Sequence, residues 1–179
     1  IIDQYIFCEA LGKSGKEPVL VLRDLNKEEY LGGAGAVTNH LAEFCSTITL
    51  ISVLGELGEY EDFIKANLAK NIRFKFINKT NSPTIIKKRF IDHITNSKTL
   101  GVYSINDEAL SERDEKKLIG MILKEIKTYD LVIVTDYGHG LISEKVAKAI
   151  VKHSPYTALN AQINAANSSY HTMDKYEKV

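Results

Sequence analysis

Three glycines in four positions mark the segment Leu31-Gly32-Gly33-Ala34-Gly35-Ala36-Val37-Thr38-Asn39. An extended run at 29–31 precedes them, and an apolar pattern with helical spacing follows. Glycine lets the backbone turn sharply and lets a ligand approach it closely. The start of a helix adds free N–H groups and the positive end of a dipole. The segment therefore predicts a small-molecule cradle at a helix N-terminus.

Two nucleotide-binding loops fit the segment poorly. A Walker loop would end in Gly-Lys-Ser or Gly-Lys-Thr, which is absent. The dinucleotide fingerprint fits Gly33 and Gly35, but Thr38 stands in place of its last glycine. A plain tight turn before a buried helix remains the alternative to a ligand cradle.

Composition places the chain among ordinary globular proteins. It has 179 residues, of which 44% are hydrophobic, and its 23 basic residues balance its 23 acidic residues. Such a charge balance favours neither nucleic acid nor a membrane surface as a partner. The chain has no long apolar run and no signal-peptide pattern, so we expect a cytoplasmic protein. Cys8 and Cys45 are isolated and are predicted to be reduced core residues, and no metal site is predicted.

Strand and helix patterns alternate along the chain, which predicts a parallel three-layer α/β core. Apolar hairpins that interrupt the alternation predict a β-sheet lid at about 18–31 and 83–104. The strand at 18–22 is apolar on both faces, so both are expected to be covered, whereas 9–17 and 23–27 are expected to be a polar loop and turn. The predicted core elements are strands 1–7, 48–54, 72–77, 131–135 and 156–159, and helices 34–45, 60–68, a helix capped by Ser111, and 144–153.

Two aspartates occupy positions that suggest ligand contact. Asp3 is the single charge in a buried strand, where a charge is costly unless it is paired or faces a cleft. Asp136 ends the clearest strand, and ligands of open α/β sheets bind beyond the carboxyl ends of strands. The alternatives are a solvent-facing strand end for Asp3 and a turn or capping role for Asp136.

Lys87 and Arg89 form the strongest chemical signal after the glycine segment. They are two residues apart in the strand pattern at 83–90, so their side chains project from one face. An arginine fork and a lysine point charge on one face can bind a phosphate. The alternative is a solvated, charged lid surface.

The residue pattern of these segments resembles that of the ribokinase-like (PfkB) carbohydrate kinases. Gly32-Gly33, separated by five residues from Asn39, matches their first signature. Thr84, Lys87 and Arg89 match a Thr-x-x-Lys-x-Arg pattern of the heptose-phosphate kinases of ADP-heptose synthesis. The resemblance implies that Gly32, Gly33 and Asn39 line a sugar site, that Asp3 binds sugar hydroxyls, and that Lys87 and Arg89 meet a sugar phosphate. It also implies ATP and Mg²⁺ as cofactors and a homodimer formed through the lid.

Three departures from the family pattern limit the resemblance. His139 replaces a lysine after Asp136, an amide-rich run at 160–167 replaces an Asp-Pro pair, and no Gly-Ala-Gly-Asp segment supplies a catalytic base. We therefore expect 1–179 to be the N-terminal part of one kinase domain, incomplete at its C-terminus. It would carry the acceptor-binding half without a catalytic residue and would be inactive alone. The alternatives are a non-catalytic sugar-phosphate binding or regulatory module and an unrelated nucleotide-binding α/β domain.

Overall fold

The computed structural model describes residues 1–162 and Tyr176. Eight strands and four α-helices occur among these residues, with a short 3₁₀ turn at Ile126–Thr128. In chain order they are β1 (Ile2–Lys13), β2 (Leu20–Leu31), α1 (Ala34–Leu41), β3 (Ile48–Leu54), α2 (Glu61–Asn67), β4 (Ile72–Asn78), β5 (Ile86–Asp92), β6 (Lys98–Ser104), α3 (Glu112–Glu125), β7 (Val132–Asp136), α4 (Glu144–His153) and β8 (Thr157–Ala161).

A mixed four-stranded sheet carries three of the predicted site residues, Asp3, Lys87 and Arg89. Its strand order is β2-β1-β5-β6, with β1 antiparallel to β2 and parallel to β5. Burial alternates along β1, where Ile2, Gln4, Ile6 and Cys8 are buried and the residues between them are half-buried. Ile2 packs with Leu54 and Ile64 in one core cluster. One face of this sheet is therefore fixed to the core, and the opposite face is available for chemistry.

The remaining strands form two parallel pairs, β3 with β4 and β7 with β8. Helices α3 and α4 supply Leu118, Ile122, Val146 and Ile150 to a second apolar cluster, which includes Val134 of β7. The serine cap predicted for α3 is confirmed, because the Asp114 N–H donates to the Ser111 hydroxyl at 3.1 Å. Strands β3 and β7 line a cavity of about 490 Å³, and none of the predicted site residues lines it.

The predicted polar loop at 9–17 is confirmed only for 14–17, and the predicted polar turn at 23–27 is wrong. Strand β1 continues to Lys13, and β2 is one continuous strand. The antiparallel ladder persists through Glu9 and Arg23, whose side chains form an ion pair at 2.9 Å, and an irregularity beside Gly12 absorbs a change of register. Both faces of this outer part of the hairpin meet solvent, so polarity there does not mark the end of a strand.

A single chain does not cover the apolar residues at 18–22, so the predicted covering of both faces would require a second surface. Leu20 is 60% exposed and Val19 is 48% exposed. The apolar residues belong to the outer part of the β1–β2 hairpin, beyond the edge of the core. An exposed apolar strand of this kind is a site of pairing with another surface or of aggregation.

Helix α1 is shorter than the predicted 34–45. It ends at Leu41, and the Asn71 amide donates to the Ala42 and Cys45 carbonyls at 2.9 and 2.8 Å, which satisfies backbone groups after the helix. Phe44 is consequently 83% exposed, not part of the core. Cys8 is buried as predicted, whereas the prediction of a core position for Cys45 is wrong.

No helix in the described residues is long and apolar enough to span a membrane.

Candidate functional site

Strand register brings the predicted charged residues together on one face of the four-stranded sheet. Asp3 of β1 lies beside Lys87 of β5, which lies beside Tyr103 of β6. The next row on the same face contains Tyr5 and Arg89. Side chains two residues apart share a face, so the two rows form one continuous surface. Parallel pairing of β1 with β5 thus unites residues that are distant in sequence.

An ion pair lies at the centre of this face. Arg89 Nη1 donates to Asp3 Oδ1 at 2.6 Å, and the two side chains are only 18% and 22% exposed. Burial disfavours the charge on Arg89, but the hydrogen bond and negative charge of Asp3 outweigh that effect and raise the pKa of Arg89. The two basic residues are therefore not equivalent, since one of them already has an anionic partner.

Aromatic rings flank the guanidinium. The Arg89 guanidinium carbon lies 5.5 Å from the Tyr5 ring centroid and 5.9 Å from that of Tyr103. Lys87 Nζ also lies 5.9 Å from the Tyr103 ring. A Cβ at Gly101 would come within 3.1 Å of the Tyr103 hydroxyl, so the glycine makes room for this ring. Sequence reasoning missed both tyrosines. The two-residue spacing between Asp3 and Tyr5 would have placed Tyr5 on the same strand face as Asp3.

The two glycines of the predicted cradle are required by close approach. A Cβ at Gly32 would lie 2.2 Å from Asp3 Oδ2, so the carboxylate rests directly on this backbone. Gly33 is the N-cap of α1 at φ +54°, where glycine is favoured. A Cβ there would lie 3.2 Å from the Tyr137 ring. Burial, together with the charge of Asp3, raises the pKa of Tyr137. The glycines, Asp3 and the segment after β7 therefore meet at one point.

Lys87 lies in a more buried environment than its sequence suggests. Burial lowers the pKa of Lys87, while the negative charges of Asp3 and Asp107 oppose that shift. Asp107 Oδ1 lies 2.7 Å from Nδ1 of buried His139. Burial also lowers the pKa of His139, and the hydrogen bond with Asp107 opposes the effect. At position 139, where the resemblance leads one to expect a lysine, the chain thus has an imidazole paired with the Asp107 carboxylate.

A buried lysine holds the loop that carries Asp107. Lys79 is 5% exposed, and its Nζ donates to the Asn106 and Glu108 carbonyls at 2.6 and 2.7 Å. A Cβ at Gly140 would lie 1.9 Å from the Glu108 carbonyl oxygen, so the loop also packs tightly against the segment after β7. Sequence reasoning missed Lys79 and Asp107, because both act through contacts between segments that are distant in sequence.

Asn39 and Thr84 have structural partners. The Asn39 amide donates to the Asn67 carbonyl at 2.8 Å and accepts from the Ala69 N–H at 3.0 Å, which joins α1 to the end of α2. The buried Thr84 hydroxyl accepts from the Gly55 N–H. The structure therefore gives each side chain a packing role, and ligand contact by Asn39 stays a prediction.

Asp136 is buried in a turn at the end of β7. Its carboxylate accepts a hydrogen bond from the Gly138 N–H at 2.9 Å and another from the Tyr176 hydroxyl at 2.8 Å. These contacts correspond to the turn role that the sequence left open. Ligand binding by Asp136 also stays a prediction. Of the amide-rich run, residues 163–167 lie outside the described residues.

Within residues 1–162 and Tyr176, no group of three or more His, Cys, Asp or Glu side chains could hold a metal ion.

No protein-family model matches the chain, but several curated proteins named HldE are similar to it. The chain is 31% identical over 155 residues to the bifunctional protein HldE of a Nitratiruptor species, an alignment that covers 86% of this chain and 33% of that protein. It is 29% identical over 164 residues to HldE of Campylobacter jejuni, covering 91% and 33%. The chain thus spans about a third of the length of these relatives.

Solved sugar-kinase structures share the fold. Escherichia coli phosphofructokinase-2 in complex with fructose-6-phosphate superposes with a TM-score of 0.64 at 16% identity, covering 92% of this chain and 52% of that one. Arabidopsis thaliana ribokinase complexed with ribose and ATP gives a TM-score of 0.55 at 18% identity, covering 90% and 51%. The predicted ribokinase-like α/β fold is confirmed. The HldE relatives and this shared fold support the predicted resemblance to the ribokinase-like (PfkB) carbohydrate kinases.

Proposed function

We propose that this chain is the acceptor-binding half of an ATP-dependent kinase for a sugar phosphate of the heptose-phosphate type. In this proposal it is the N-terminal part of one kinase domain. One observation carries the proposal: Asp3, Lys87 and Arg89 share a half-buried sheet face directly against Gly32. A carboxylate beside two cations can bind a hydroxyl-bearing sugar at one end and its phosphate at the other.

Each residue has a distinct role in binding. The planar guanidinium of Arg89 donates two directed hydrogen bonds to phosphate, and Lys87 adds a point charge. The Asp3 carboxylate, which rests on the bare backbone of Gly32, accepts a hydrogen bond from a sugar hydroxyl. The Tyr5 and Tyr103 rings flank the Arg89 guanidinium.

Phosphoryl transfer depends mainly on positioning, charge stabilisation and the exclusion of water. The residues described here would bind and orient the acceptor, while ATP with Mg²⁺ would supply the phosphoryl group in the complete protein. The sequence contains no Gly-Ala-Gly-Asp segment, so we expect this chain alone to bind the acceptor without turnover. We further expect two chains to associate through the exposed apolar strand residues near Leu20.

Calorimetry on wild type and Arg89→Ala tests the acceptor class. The substitution should weaken binding of a heptose phosphate by about 1.5–3 kcal/mol, the range for hydrogen bonds to charged groups. Binding of the unphosphorylated heptose should not weaken. Arg23→Ala is the matched control, because Arg23 lies on the same sheet in an exposed ion pair. Equal losses for both ligands would show that Arg89 shapes the sheet and does not recognise phosphate.

A further inference from the structure

We propose that Asp3 is an internal competitor for the phosphate site. Its carboxylate occupies Arg89 until a phosphorylated ligand displaces it, which makes Asp3 a specificity-determining residue against unphosphorylated sugars. The link to sugars rests on the proposed function. The competition itself is a property of the ion pair between Asp3 and Arg89 and is independent of that function.

The Asp3 carboxylate is held by few contacts. Arg89 is its only hydrogen-bond donor in the part of the chain that the structure describes. Its second oxygen faces the bare backbone of Gly32. Rotation of the carboxylate away from Arg89 therefore gives up one charged hydrogen bond and leaves the strand pairing intact. Asp3 can exchange partners at low structural cost.

The Arg89 guanidinium has contacts that persist when the anion changes. It lies near the Tyr5 and Tyr103 rings, and its Nη1 is 3.4 Å from the Lys87 carbonyl oxygen. Planar guanidinium groups stack on aromatic faces while donating hydrogen bonds in their own plane. The cation is thus fixed in place, and the identity of its anionic partner is the variable.

Charge decides which ligands can make the exchange. A phosphate dianion brings two negative charges and can accept hydrogen bonds from both Arg89 and Lys87. A sugar hydroxyl brings no charge and cannot replace the carboxylate at Arg89. Because the pair is about four-fifths buried, water screens this difference only partly. Once displaced, Asp3 is released to accept a hydrogen bond from a sugar hydroxyl, so phosphate binding prepares the hydroxyl site.

Inorganic phosphate binding to the full chain tests the competition directly. Asp3→Asn keeps the shape of the side chain and removes its charge, so phosphate affinity measured by ³¹P NMR titration should rise by about tenfold. Glu9→Gln is the matched control, because it makes the same change in an exposed carboxylate–arginine pair on the same hairpin. It should leave phosphate affinity unchanged. The double variant Asp3→Asn/Arg89→Gln should lose the gain, which assigns the bound phosphate to Arg89.

Unchanged or weaker phosphate binding in a folded Asp3→Asn variant would overturn the proposal and make Asp3 an orienting partner of Arg89. If the variant does not fold, ¹³C NMR of the wild-type Asp3 carboxyl group decides. Its resonance should move when phosphate saturates the site, and a resonance that stays fixed refutes the exchange. Neither result depends on the kinase assignment, which the Arg89→Ala calorimetry with the two sugars tests separately.

Discussion

The inner and outer ends of the β1–β2 hairpin share a ladder of hydrogen bonds but differ in every other respect. At the inner end Ile2 is fully buried, and the buried Gln4 amide donates to Glu29 and to the Tyr60 hydroxyl at 2.6 and 2.7 Å. At the outer end Leu20 is 60% exposed. The same strands therefore form a precise charged site where a core lies beneath them and an open apolar surface where none does.

The largest expected effect is at the inner end. Ile2→Ala removes a side chain with no exposed surface and leaves a cavity, which should lower the free energy of unfolding by about 2–5 kcal/mol. Leu20→Ala, the same kind of truncation at the outer end, should change it by at most about 0.5 kcal/mol. Urea unfolding of both variants measures the contrast, and similar losses would mean that the outer end also packs on a core.

Gly32→Ala should have the next largest effect. The new methyl group would meet the Asp3 carboxylate at 2.2 Å, so the carboxylate or the backbone must move. We expect a loss of about 1–3 kcal/mol in the free energy of unfolding and a loss of the ion pair with Arg89. Gly15→Ala is the control, because nothing lies within 4 Å of its added carbon. Thermal melts that show equal stability for the two variants would contradict the close fit at Gly32.

The imidazole beside the site should make stability depend on pH. Burial lowers the pKa of His139, so between its folded and unfolded values the unfolded chain binds more protons. The free energy of unfolding should therefore fall as the pH drops below about 6.5. His139→Gln should flatten this part of the pH profile, and His40→Gln controls for the loss of an exposed imidazole. If the free energy of unfolding had the same pH dependence in wild type and His139→Gln, His139 would not be the cause of that dependence.

Paired lysines at the outer end should change association and leave folding intact. Leu20 and Leu22 are on one face of β2, and Leu20→Lys with Leu22→Lys places two charges on the apolar surface. In sedimentation at high concentration, wild type should self-associate and the double variant should be monomeric. A monomeric wild type under these conditions would rule out a dimer through this strand.

The smallest effect is expected for Glu9→Gln. The Glu9–Arg23 pair lies at the outer end with side chains 37% and 60% exposed. Solvent-exposed ion pairs contribute little, so the free energy of unfolding should change by less than about 0.5 kcal/mol. Urea unfolding at low and high salt provides the measurement. A loss comparable with that of Ile2→Ala would erase the distinction between the two ends.

Sequence reasoning succeeded where chemistry follows from local spacing. The strand period placed Lys87 and Arg89 on one face, and the glycine segment placed a turn before α1. It could not find the Asp3–Arg89 pair, because these residues are 86 positions apart and meet only through parallel strand pairing.

Two further features could not be predicted from local spacing. The amide of Asn39 suits a sugar as well as it suits the backbone, and only the packing of α2 shows that it joins two helices. Polar residues at the outer end of the hairpin predict a loop and a turn, because a strand with solvent on both faces carries no alternating pattern.

The placement of β1 between β2 and β5 has a consequence for the order of folding. The β1–β2 hairpin forms from two strands that are adjacent in sequence. Ile2 can pair with Ile86 only after a long loop has closed. Such non-local pairing is slow, because loop-closure entropy is lost before the contacts form. During synthesis, the hairpin can form well before Arg89 reaches Asp3. The ion pair between Asp3 and Arg89 would therefore form later than the hairpin in the nascent chain.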